Sequence, residues 1–526
     1  MKRTKLLFLS ALLISGTLSA CSSDGDKETV TKDGKMTITW FDGTWESPVP
    51  EQGNEGNKQI NERFNVNFKP QYIPFDLYDD KLTVKMASGD LPDVIGTELA
   101  DANYLKWSKQ GAFLELNDYV DKYEITKAIP QSVWDAVSVD GKIYGFPIYF
   151  PSGGGKKPFI RQDWLDNLGL KMPTNYDELF EVATAFATKD PDGNGKNDTV
   201  GLGLAKGLAY DPAFGPYWSS TWYHKNDEGQ LIPGTIAEGS IEKVKFLNNL
   251  YKAGALDKDW ASKPYNDVFK DFNAGKVGIW YEQVGVNKGA VPAAMDLPTL
   301  KKLVPEAKVA AIPPFVAPDG TKGFGGGSGY YRIWMLNANL KDNDKKVKKI
   351  LEMIDYMGKY VPAEEQNPEN EYFDWTYGGE GKGYNMVDGV AAVTEEFSKY
   401  APLAHFNEKL GGWTVGDKSM RDYEVQSKTT ESKEFNKNMV DMLQSSDFYI
   451  SPVGRIHSAV YEEKFPSLNE FTTNEITKMV VGQRSIDDWD KFVAEYMAKG
   501  GKEMIDDVNK LIKEANIQGE WIKAEN

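Results

Sequence analysis

The first part of the chain alternates between apolar runs of period two and amphipathic stretches of helical period. Residues 36–41 (MTITWF) alternate with a two-residue period, which predicts a strand, and residues 66–72 predict a second strand. Residues 57–64 and 78–87 repeat apolar positions every three to four residues, which predicts helices. Residues 94–95 form a third, short strand. This order of strands and helices predicts a parallel sheet with right-handed crossovers.

The rest of the chain adds longer helical patterns. Residues 176–188 predict a strong helix that begins after an N-cap at Thr174 or Asn175. Further helical patterns cover residues 241–253, 345–357 and 486–515, the last of them broken at Gly500-Gly501. The chain therefore combines helices and strands throughout its length, and the fold class is α/β.

The composition of the chain argues against several classes of function. With 526 residues the chain has room for two to four domains, and 40% apolar with 26% charged residues is a globular composition. A net charge of -17 argues against nucleic-acid binding, which needs positively charged surfaces. One cysteine excludes an intrachain disulfide, and three histidines argue against a histidine metal site or a catalytic triad.

The N-terminus carries a targeting signal. Basic residues precede the apolar run 6–14, which is too short to span a membrane. The run leads to LSAC at residues 18–21, which resembles a bacterial lipobox. That resemblance implies cleavage after Ala20 and a diacylglycerol on Cys21; the alternative is an ordinary secretory signal with an incidental cysteine. Residues 21–35 then predict a flexible tether, which places the protein on the outer face of the cell membrane.

Several segments of the body match a family pattern in order. They are KMASGDLPDV at residues 85–94, DGKIYGFP at 140–147, RQDWL at 161–165, WTYGGEG at 375–381 and IDDW at 486–489. In this order, behind a lipobox, the chain resembles the family 1 extracellular solute-binding proteins. Within that family it is most similar to the large Gram-positive sugar-binding lipoproteins and to the alginate-binding proteins.

The resemblance implies a periplasmic-binding-protein-like fold of two lobes, a hinge and an interlobe cleft. It implies a monomer that captures a carbohydrate, expected to be an oligosaccharide, and delivers it to the permease of an ABC importer. The expected lobes are 36–147 for the first, 148–311 for the second and 312–360 for the return to the first. The remainder, 361–526, is expected mainly in the second lobe, with C-terminal helices packing across the lobes. The Gly/Pro-rich stretches 147–157 and 312–329 are either crossings between the lobes or surface loops.

A sugar site needs aromatic platforms for C–H faces and planar polar groups for hydroxyls. Aromatic and charged residues on loops and at the carboxyl ends of strands are the candidates, because ligands of open α/β sheets bind there. For each tryptophan the alternative is core packing, and for Arg332 it is a structural salt bridge. The candidate ligand-binding residues are Asp42, Trp45, Tyr149, Trp218, Trp222, Trp280, Glu282, Arg332, Trp375 and Trp413.

One loop has the spacing of a calcium site. Side chains with oxygen ligands occupy positions 1, 3, 5 and 9 of the loop, and the backbone carbonyl of position 7 would be a further ligand. This is the pattern of the first nine positions of an EF-hand. The predicted ligands are Asp190, Asp192, Asn194, Lys196 and Asp198. Position 12 is Gly201, where the EF-hand has a bidentate glutamate. The alginate-binding proteins carry a similar loop, so the resemblance implies structural Ca²⁺. The alternative is an Asx-rich turn without metal.

Two other function classes stay open from the sequence. A secreted lyase or glycosidase would use a pair of carboxylates, and 78 acidic residues leave many pairs available. No nucleophile elbow and no P-loop occurs in the sequence, which argues against the hydrolases and NTPases that use them. An adhesion lipoprotein would instead present an exposed aromatic surface.

Overall fold

The protein is divided into two lobes. The computed structural model describes residues 34–44, 48–150, 153, 156–208, 211–283, 297–387, 389–406, 430–517 and 522–523. Two main hydrophobic cores lie within these residues, and each contains its own β-sheet. The expected two-lobed α/β fold is confirmed.

The first lobe is built on a five-stranded sheet. Its strands follow the spatial order Val66–Pro74, Met36–Thr44, Val94–Thr97, Tyr330–Leu336 and Gly145–Tyr149. The first three pair in parallel, as predicted, and the fourth is antiparallel to both of its neighbours. The helices of this lobe are Glu55–Phe64, Phe75–Ser88, Ala102–Lys109, Glu124–Lys127, Gln131–Val137, Asp344–Met357, Glu371–Thr376 and Phe397–Tyr400.

The second lobe has a four-stranded sheet in the order Val309–Ala311, Lys156–Arg161, Val277–Gln283 and Val200–Leu202. Its helices are Gln162–Leu168, Tyr176–Thr188, Glu238–Lys252, Tyr265–Asn273, Leu297–Leu303, Thr430–Gln444, Ala459–Val480, Trp489–Tyr496 and Lys502–Glu514. Short strands pair elsewhere: Ser138–Val139 with Lys142–Ile143, Trp222–Lys225 with Leu231–Pro233, and Tyr384–Val387 with Val390–Val393.

Local sequence signals fix several helix ends. Asn175 is the N-cap of Tyr176–Thr188, and its side-chain oxygen accepts a hydrogen bond from the Glu178 backbone N–H at 2.9 Å. The predicted break in the C-terminal helices occurs at Gly500, whose φ of 113° lies outside the helical region. These boundaries were predictable because each depends on one residue type at one position.

The chain passes between the lobes in both predicted Gly/Pro-rich stretches. The strand Gly145–Tyr149 belongs to the first sheet, and the strand Lys156–Arg161 belongs to the second. Later, Val309–Ala311 ends the second sheet and Tyr330–Leu336 re-enters the first. Between those two, Phe324–Gly325 pairs with Phe448–Ile450, which in turn pairs with Ile522–Lys523.

Two of the expected lobe assignments differ from the structure. Phe397 and Phe406 belong to the first core, although 361–526 was expected mainly in the second lobe. Phe406 packs on the rings of Trp40 and Phe68 at 5.5 and 5.6 Å, which holds this segment on the first sheet. Ile312, expected in the return to the first lobe, is buried in the second core. The helices from 459 onwards pack in the second core.

Candidate ligand-binding site

Two predicted site residues, Asp42 and Arg332, meet at the carboxyl edge of the first sheet. The Arg332 guanidinium donates through Nη2 to Asp42 Oδ1, and Trp334 Nε1 donates to Asp42 Oδ2 at 2.8 Å. Arg332 is 1% exposed, and burial lowers the pKa of its guanidinium to about 9. The two residues therefore form a buried ion pair.

Aromatic packing closes this pair off from solvent. The Phe75 ring lies 4.5 Å from the Arg332 guanidinium carbon, and a Cβ at Gly96 would lie 1.9 Å from Asp42 Oδ1. Arg332 Nε and Nη1 have no hydrogen-bond acceptor among the described residues. The pair is a structural salt bridge, which was the alternative to ligand binding for Arg332. The Arg332 guanidinium is only partly hydrogen-bonded.

Three predicted stacking residues are buried in the second lobe. Trp218 and Trp222 are 4% and 5% exposed, and Trp280 is 1% exposed. Trp218 donates from Nε1 to Glu242 at 3.0 Å, and the Trp280 ring packs on Phe272 at 4.8 Å. Rings packed in this way present no free face to a sugar, so the expectation that these three stack on ligand is corrected to core packing.

The two remaining aromatic candidates lie apart from each other. Tyr149 is half-buried at the end of its strand, opposite Tyr330 in the sheet register, and burial raises the pKa of its hydroxyl. Trp375 packs under the guanidinium of Arg63, 4.4 Å from its carbon. Arg63 is in the last turn of a helix that leads into a parallel strand, so Trp375 lies at the amino edge of the sheet, opposite Asp42.

Four further predicted positions lie outside the description. Cys21, Trp45 and Trp413 are not among the described residues. Glu282 lies within the strand Val277–Gln283, and its side chain is likewise outside the described part. These assignments stay predictions.

A cavity of about 480 Å³ opens on the second lobe beside the lobe crossings. Loops, two α-helices and residues of the strands Lys156–Arg161, Val277–Gln283 and Phe324–Gly325 contribute to its wall. Its polar lining side chains are Lys156, Asp211, Ser219, Ser220, Thr221, Thr235, Ser240, Lys243, Tyr281, Asn469, Thr472 and Thr473. Leu208, Ala213, Val244, Leu247 and Ile476 add apolar surface, and Gly207, Gly215, Gly325 and Gly326 add backbone. Such a wall of hydroxyls with apolar patches suits a polyhydroxylated ligand.

Of the predicted ligand-binding residues whose side chains the structure describes, none lines this cavity, although several are sequence neighbours of residues that do. Tyr281 follows the buried Trp280, and successive residues of a strand point to opposite faces. Asn469, Thr472 and Ile476 recur at intervals of three and four along the helix Ala459–Val480, which places them on one face. The spacing of these three residues was visible in the sequence and could have indicated that they share one helix face.

One acid–base pair is built into the cavity wall. Lys243 Nζ lies 2.6 Å from Asp211 Oδ2 and donates to the Trp218 carbonyl at 2.8 Å. The Lys243 side chain is 7% exposed and that of Asp211 24%. Asp211 Oδ1 receives no hydrogen bond from the described residues. The Asp211 carboxylate thus has one oxygen paired with Lys243 and one that is itself buried without a hydrogen-bond partner among the described residues.

The predicted calcium loop follows the helix Tyr176–Thr188 and is held by hydrogen bonds among its predicted ligand residues. Asp190 accepts from the backbone N–H groups of Asn194 and Gly195 at 3.1 and 3.0 Å. The Asn194 amide donates to Asp192 at 2.7 Å and to Asp198 at 3.1 Å. Partial burial, with Asp190 and Asp198 nearby, raises the pKa of Asp192.

The donor set of this loop fits a hard cation, because all of its ligands are oxygens. Within the described part of the chain, no three His, Cys, Asp or Glu side chains are grouped closely enough to hold a metal. A cation at this loop would therefore also need the side-chain oxygen of Asn194 and the backbone carbonyl of Lys196.

Sequence relatives cover nearly the whole chain. It is 26% identical over 525 residues to Lipoprotein LipO of Bacillus subtilis (strain 168), covering 97% of this chain and 98% of the relative. It is 24% identical over 521 residues to the polygalacturonan/rhamnogalacturonan-binding protein YtcQ of the same organism, with the same coverage of both chains.

A solved structure shares the fold. The Streptococcus pneumoniae ABC-transporter substrate binding protein FusA in complex with kestose aligns with a TM-score of 0.62 at 17% identity, covering 91% of this chain and 99% of that one. The profile of the bacterial extracellular solute-binding proteins matches residues 42–359, more than half of the chain. The two-lobed fold, the cavity beside the crossings and this match lead to one conclusion: the chain belongs to the bacterial extracellular solute-binding proteins.

Proposed function

We propose that the protein is the carbohydrate-binding component of an ABC importer. The observation that carries this proposal is the cavity of about 480 Å³, with its hydroxyl-rich wall beside the crossings between the lobes. Hydroxyl, amide and backbone groups make the paired hydrogen bonds that a sugar needs, and Leu208, Ala213 and the Tyr281 ring offer partly exposed apolar surface to its C–H groups. The name of YtcQ and the kestose complex of FusA support a carbohydrate ligand.

The position of the cavity suggests how binding is coupled to delivery. Gly325 and Gly326 line it and belong to the second crossing between the lobes, and Lys156 follows the first. A ligand that contacts these residues binds one arrangement of the lobes better than another. It shifts the population toward that closed form, which the permease then recognises.

Binding is favoured over catalysis by the acids of the cavity. Of the described residues that line it, Asp211 is the one carboxylate. A glycosidase of the usual kind needs two carboxyl groups on either side of the scissile bond. The alternative of a secreted lyase or glycosidase therefore has less support than a receptor that releases its sugar unchanged.

The anchor and the oligomeric state are part of the proposal. A diacylglycerol on Cys21 and the tether 21–35 would hold a monomer at the outer face of the membrane, where the permease subunits lie. Within the described residues, no helix has the length and apolar character needed to cross a bilayer. Mass spectrometry of the N-terminal peptide for a lipid on Cys21 tests the anchor.

We also propose that the loop 190–198 binds one structural Ca²⁺. Asp190, Asp192, Asn194 and Asp198 would supply side-chain oxygens and Lys196 its carbonyl. When bound, the ion offsets the repulsion among three carboxylates. We expect Ca²⁺ to raise the melting temperature and EDTA to remove that gain, whereas Asp192→Ala makes the protein insensitive to both. Asp227→Asn, on an exposed turn of the same lobe, is the control.

The proposed carbohydrate ligand is tested by thermal shift of the purified protein against a panel of oligosaccharides. A sugar at 100 times its Kd stabilises the folded state by about 2.7 kcal/mol, a measurable increase in melting temperature. The sugar should be recovered intact by chromatography. Hydrolysis or elimination of the sugar during incubation would reject the receptor in favour of an enzyme.

A further inference from the structure

One stretch of chain, residues 211–221, forms much of the cavity wall and is called the wall segment. Its single helical turn is Pro216–Trp218, and the backbone after that turn is extended. A segment with so little regular structure loses conformational freedom when a ligand orders it, unless other residues already hold it in place. The residues that it contributes to the lining are Asp211, Ala213, Gly215, Ser219, Ser220 and Thr221.

The side chain of Lys243 contacts the wall segment at two points. Its Nζ lies 2.6 Å from Asp211 Oδ2, at the start of the segment, and donates to the Trp218 carbonyl at 2.8 Å. The Trp218 carbonyl directly precedes the three hydroxyl residues of the lining. Lys243 belongs to the helix Glu238–Lys252, and its side chain is 7% exposed. One buried ammonium group therefore joins both parts of the segment to a helix, through charge-assisted hydrogen bonds.

Tyr176 holds the wall segment from a second helix. Its hydroxyl donates to the Pro212 carbonyl at 2.8 Å, and its ring packs on the Trp218 ring at 4.9 Å. A further ring contact joins it to Phe214 at 5.6 Å. Tyr176 is the first residue of the helix Tyr176–Thr188, and among the described residues it is not one of those that line the cavity. Its effect on a ligand would therefore be exerted through the wall segment.

The wall segment also packs on the second crossing between the lobes. The rings of Phe214 and Phe315 stack at 4.3 Å, and the Phe315 backbone N–H donates to the Phe214 carbonyl at 3.0 Å. Phe315 belongs to the crossing 312–329, which contributes Gly325 and Gly326 to the cavity lining. The segment and the crossing are therefore packed together as two parts of one wall.

We infer that Lys243 and Tyr176 are positioning residues of the sugar site. They hold the wall segment in its binding conformation before the ligand is present. The affinity is higher as a result, because fewer backbone and side-chain rotations are lost when the ligand binds. This inference rests on the proposed carbohydrate-binding function and identifies residues on which its affinity depends. Asp211 then serves as the anchor for Lys243.

Hydrogen exchange of the ligand-free protein tests the holding contacts. The backbone N–H groups of Trp218 and Ser219 donate to carbonyls within the wall segment, so their exchange reports whether the segment is ordered. We expect the peptide that covers 211–221 to exchange about threefold faster in Lys243→Met and in Tyr176→Phe than in the parent protein. Unchanged exchange in both variants would overturn the inference, whatever the ligand.

Calorimetry of the same variants connects these contacts to binding. The probes are kestose, mannotriose, xylotriose and trigalacturonate, and the one that binds the parent protein most tightly is used. We expect Lys243→Met to weaken its binding about tenfold and Tyr176→Phe about threefold. Parental affinity in both variants would overturn the inference and leave the proposed function standing. No binding of any probe to the parent protein would reject the proposed function.

Two control variants separate positioning from stability. Tyr372→Phe removes a hydroxyl that donates to the Met357 carbonyl at 3.1 Å in the first lobe, and Ile505→Val removes a methyl group from the second core. The second change lowers the melting temperature, and both should leave the affinity unchanged. Lys243→Arg keeps the charge and the donors, so it should recover part of the affinity lost in Lys243→Met. Equal losses of affinity in Ile505→Val and Lys243→Met would contradict positioning by Lys243.

Discussion

The pair Asp42–Arg332 of the first lobe and the pair Asp211–Lys243 of the second lobe differ in what surrounds them. Asp42 and Arg332 of the first lobe are 4% and 1% exposed in their side chains, beneath the ring of Phe75. Asp211 and Lys243 of the second lobe line a cavity, and Asp211 keeps 24% of its side chain exposed. In the first pair the unsatisfied group is the guanidinium, and in the second it is a carboxylate oxygen.

The difference shows that burial, more than residue type, separates a structural pair from a binding pair. A closed pair offsets the cost of its own desolvation, and removal of one partner leaves a buried charge alone. A pair at a cavity wall contacts water, which a ligand can replace. Substitution of one partner of such a pair therefore lowers the free energy of unfolding by less.

The largest effect is expected for the closed pair. Arg332→Met should lower the free energy of unfolding by about 3–5 kcal/mol, because the buried Asp42 carboxylate loses its counter-charge. Lys243→Met should cost only about 1–2 kcal/mol, since Asp211 retains contact with the cavity. Urea unfolding of both variants measures the difference. Equal losses in the two variants would contradict the contrast between the lobes.

The sequence predicted the features of this structure that depend on local patterns, and it did not predict those that depend on tertiary packing. The strands at 36–44 and 66–74, the cap at Asn175 and the break at Gly500 depend on local patterns, and the structure has them where they were expected. The orientation of Trp280 depends on which helix covers each face of the strand Val277–Gln283. That is a tertiary property, and no pattern within the strand contains it.

The same limit applies to the site. Asp42 was predicted as a ligand-binding residue from its place at the end of the first strand, and Arg332 from its planar guanidinium. The structure joins the two in a buried ion pair. Phe75, which covers them, follows a different strand and gave no separate signal. The cavity residues come from segments more than 300 residues apart, such as Lys156 and Thr473, so only the fold brings them together.

A smaller effect on the free energy of unfolding is expected from a buried histidine of the first lobe as the pH is lowered. His405 is completely buried, and burial lowers its pKa to about 3. Since its unfolded pKa is about 6.5, the unfolded state takes up the proton first as the pH falls. The contribution of His405 to stability is complete above pH 6.5 and is lost at about 1.4 kcal/mol per pH unit between pH 6.5 and 3.

The check compares the protein with the variant His405→Gln by urea unfolding at pH 7, 6 and 5. Glutamine keeps a donor for Asn54 Oδ1, which the histidine Nε2 contacts at 3.0 Å. Between pH 6.5 and pH 5, the free energy of unfolding of the variant should fall by about 2 kcal/mol less than that of the parent. Parallel pH profiles would show that His405 is not held neutral by burial.

The smallest effect concerns two neighbours on one strand of the second lobe. Tyr281→Ala should weaken sugar binding about tenfold, or about 1.4 kcal/mol, with little change in melting temperature, because Tyr281 lines the cavity. Trp280→Phe should instead lower the melting temperature and leave the affinity intact, since Trp280 is buried. The reverse pattern, measured by calorimetry and thermal denaturation, would place the ligand on the other face of the strand.

If the protein is a carbohydrate receptor, an oligosaccharide binds in the cavity of the second lobe beside the crossings between the lobes. A crystal structure of the protein with its best-binding oligosaccharide shows whether it does. We predict an intact sugar in the cavity, enclosed between the lobes and in contact with Tyr281 and Asn469. A sugar bound elsewhere, such as beside Trp375 of the first lobe, or a cleaved product in the cavity, would contradict the proposed function.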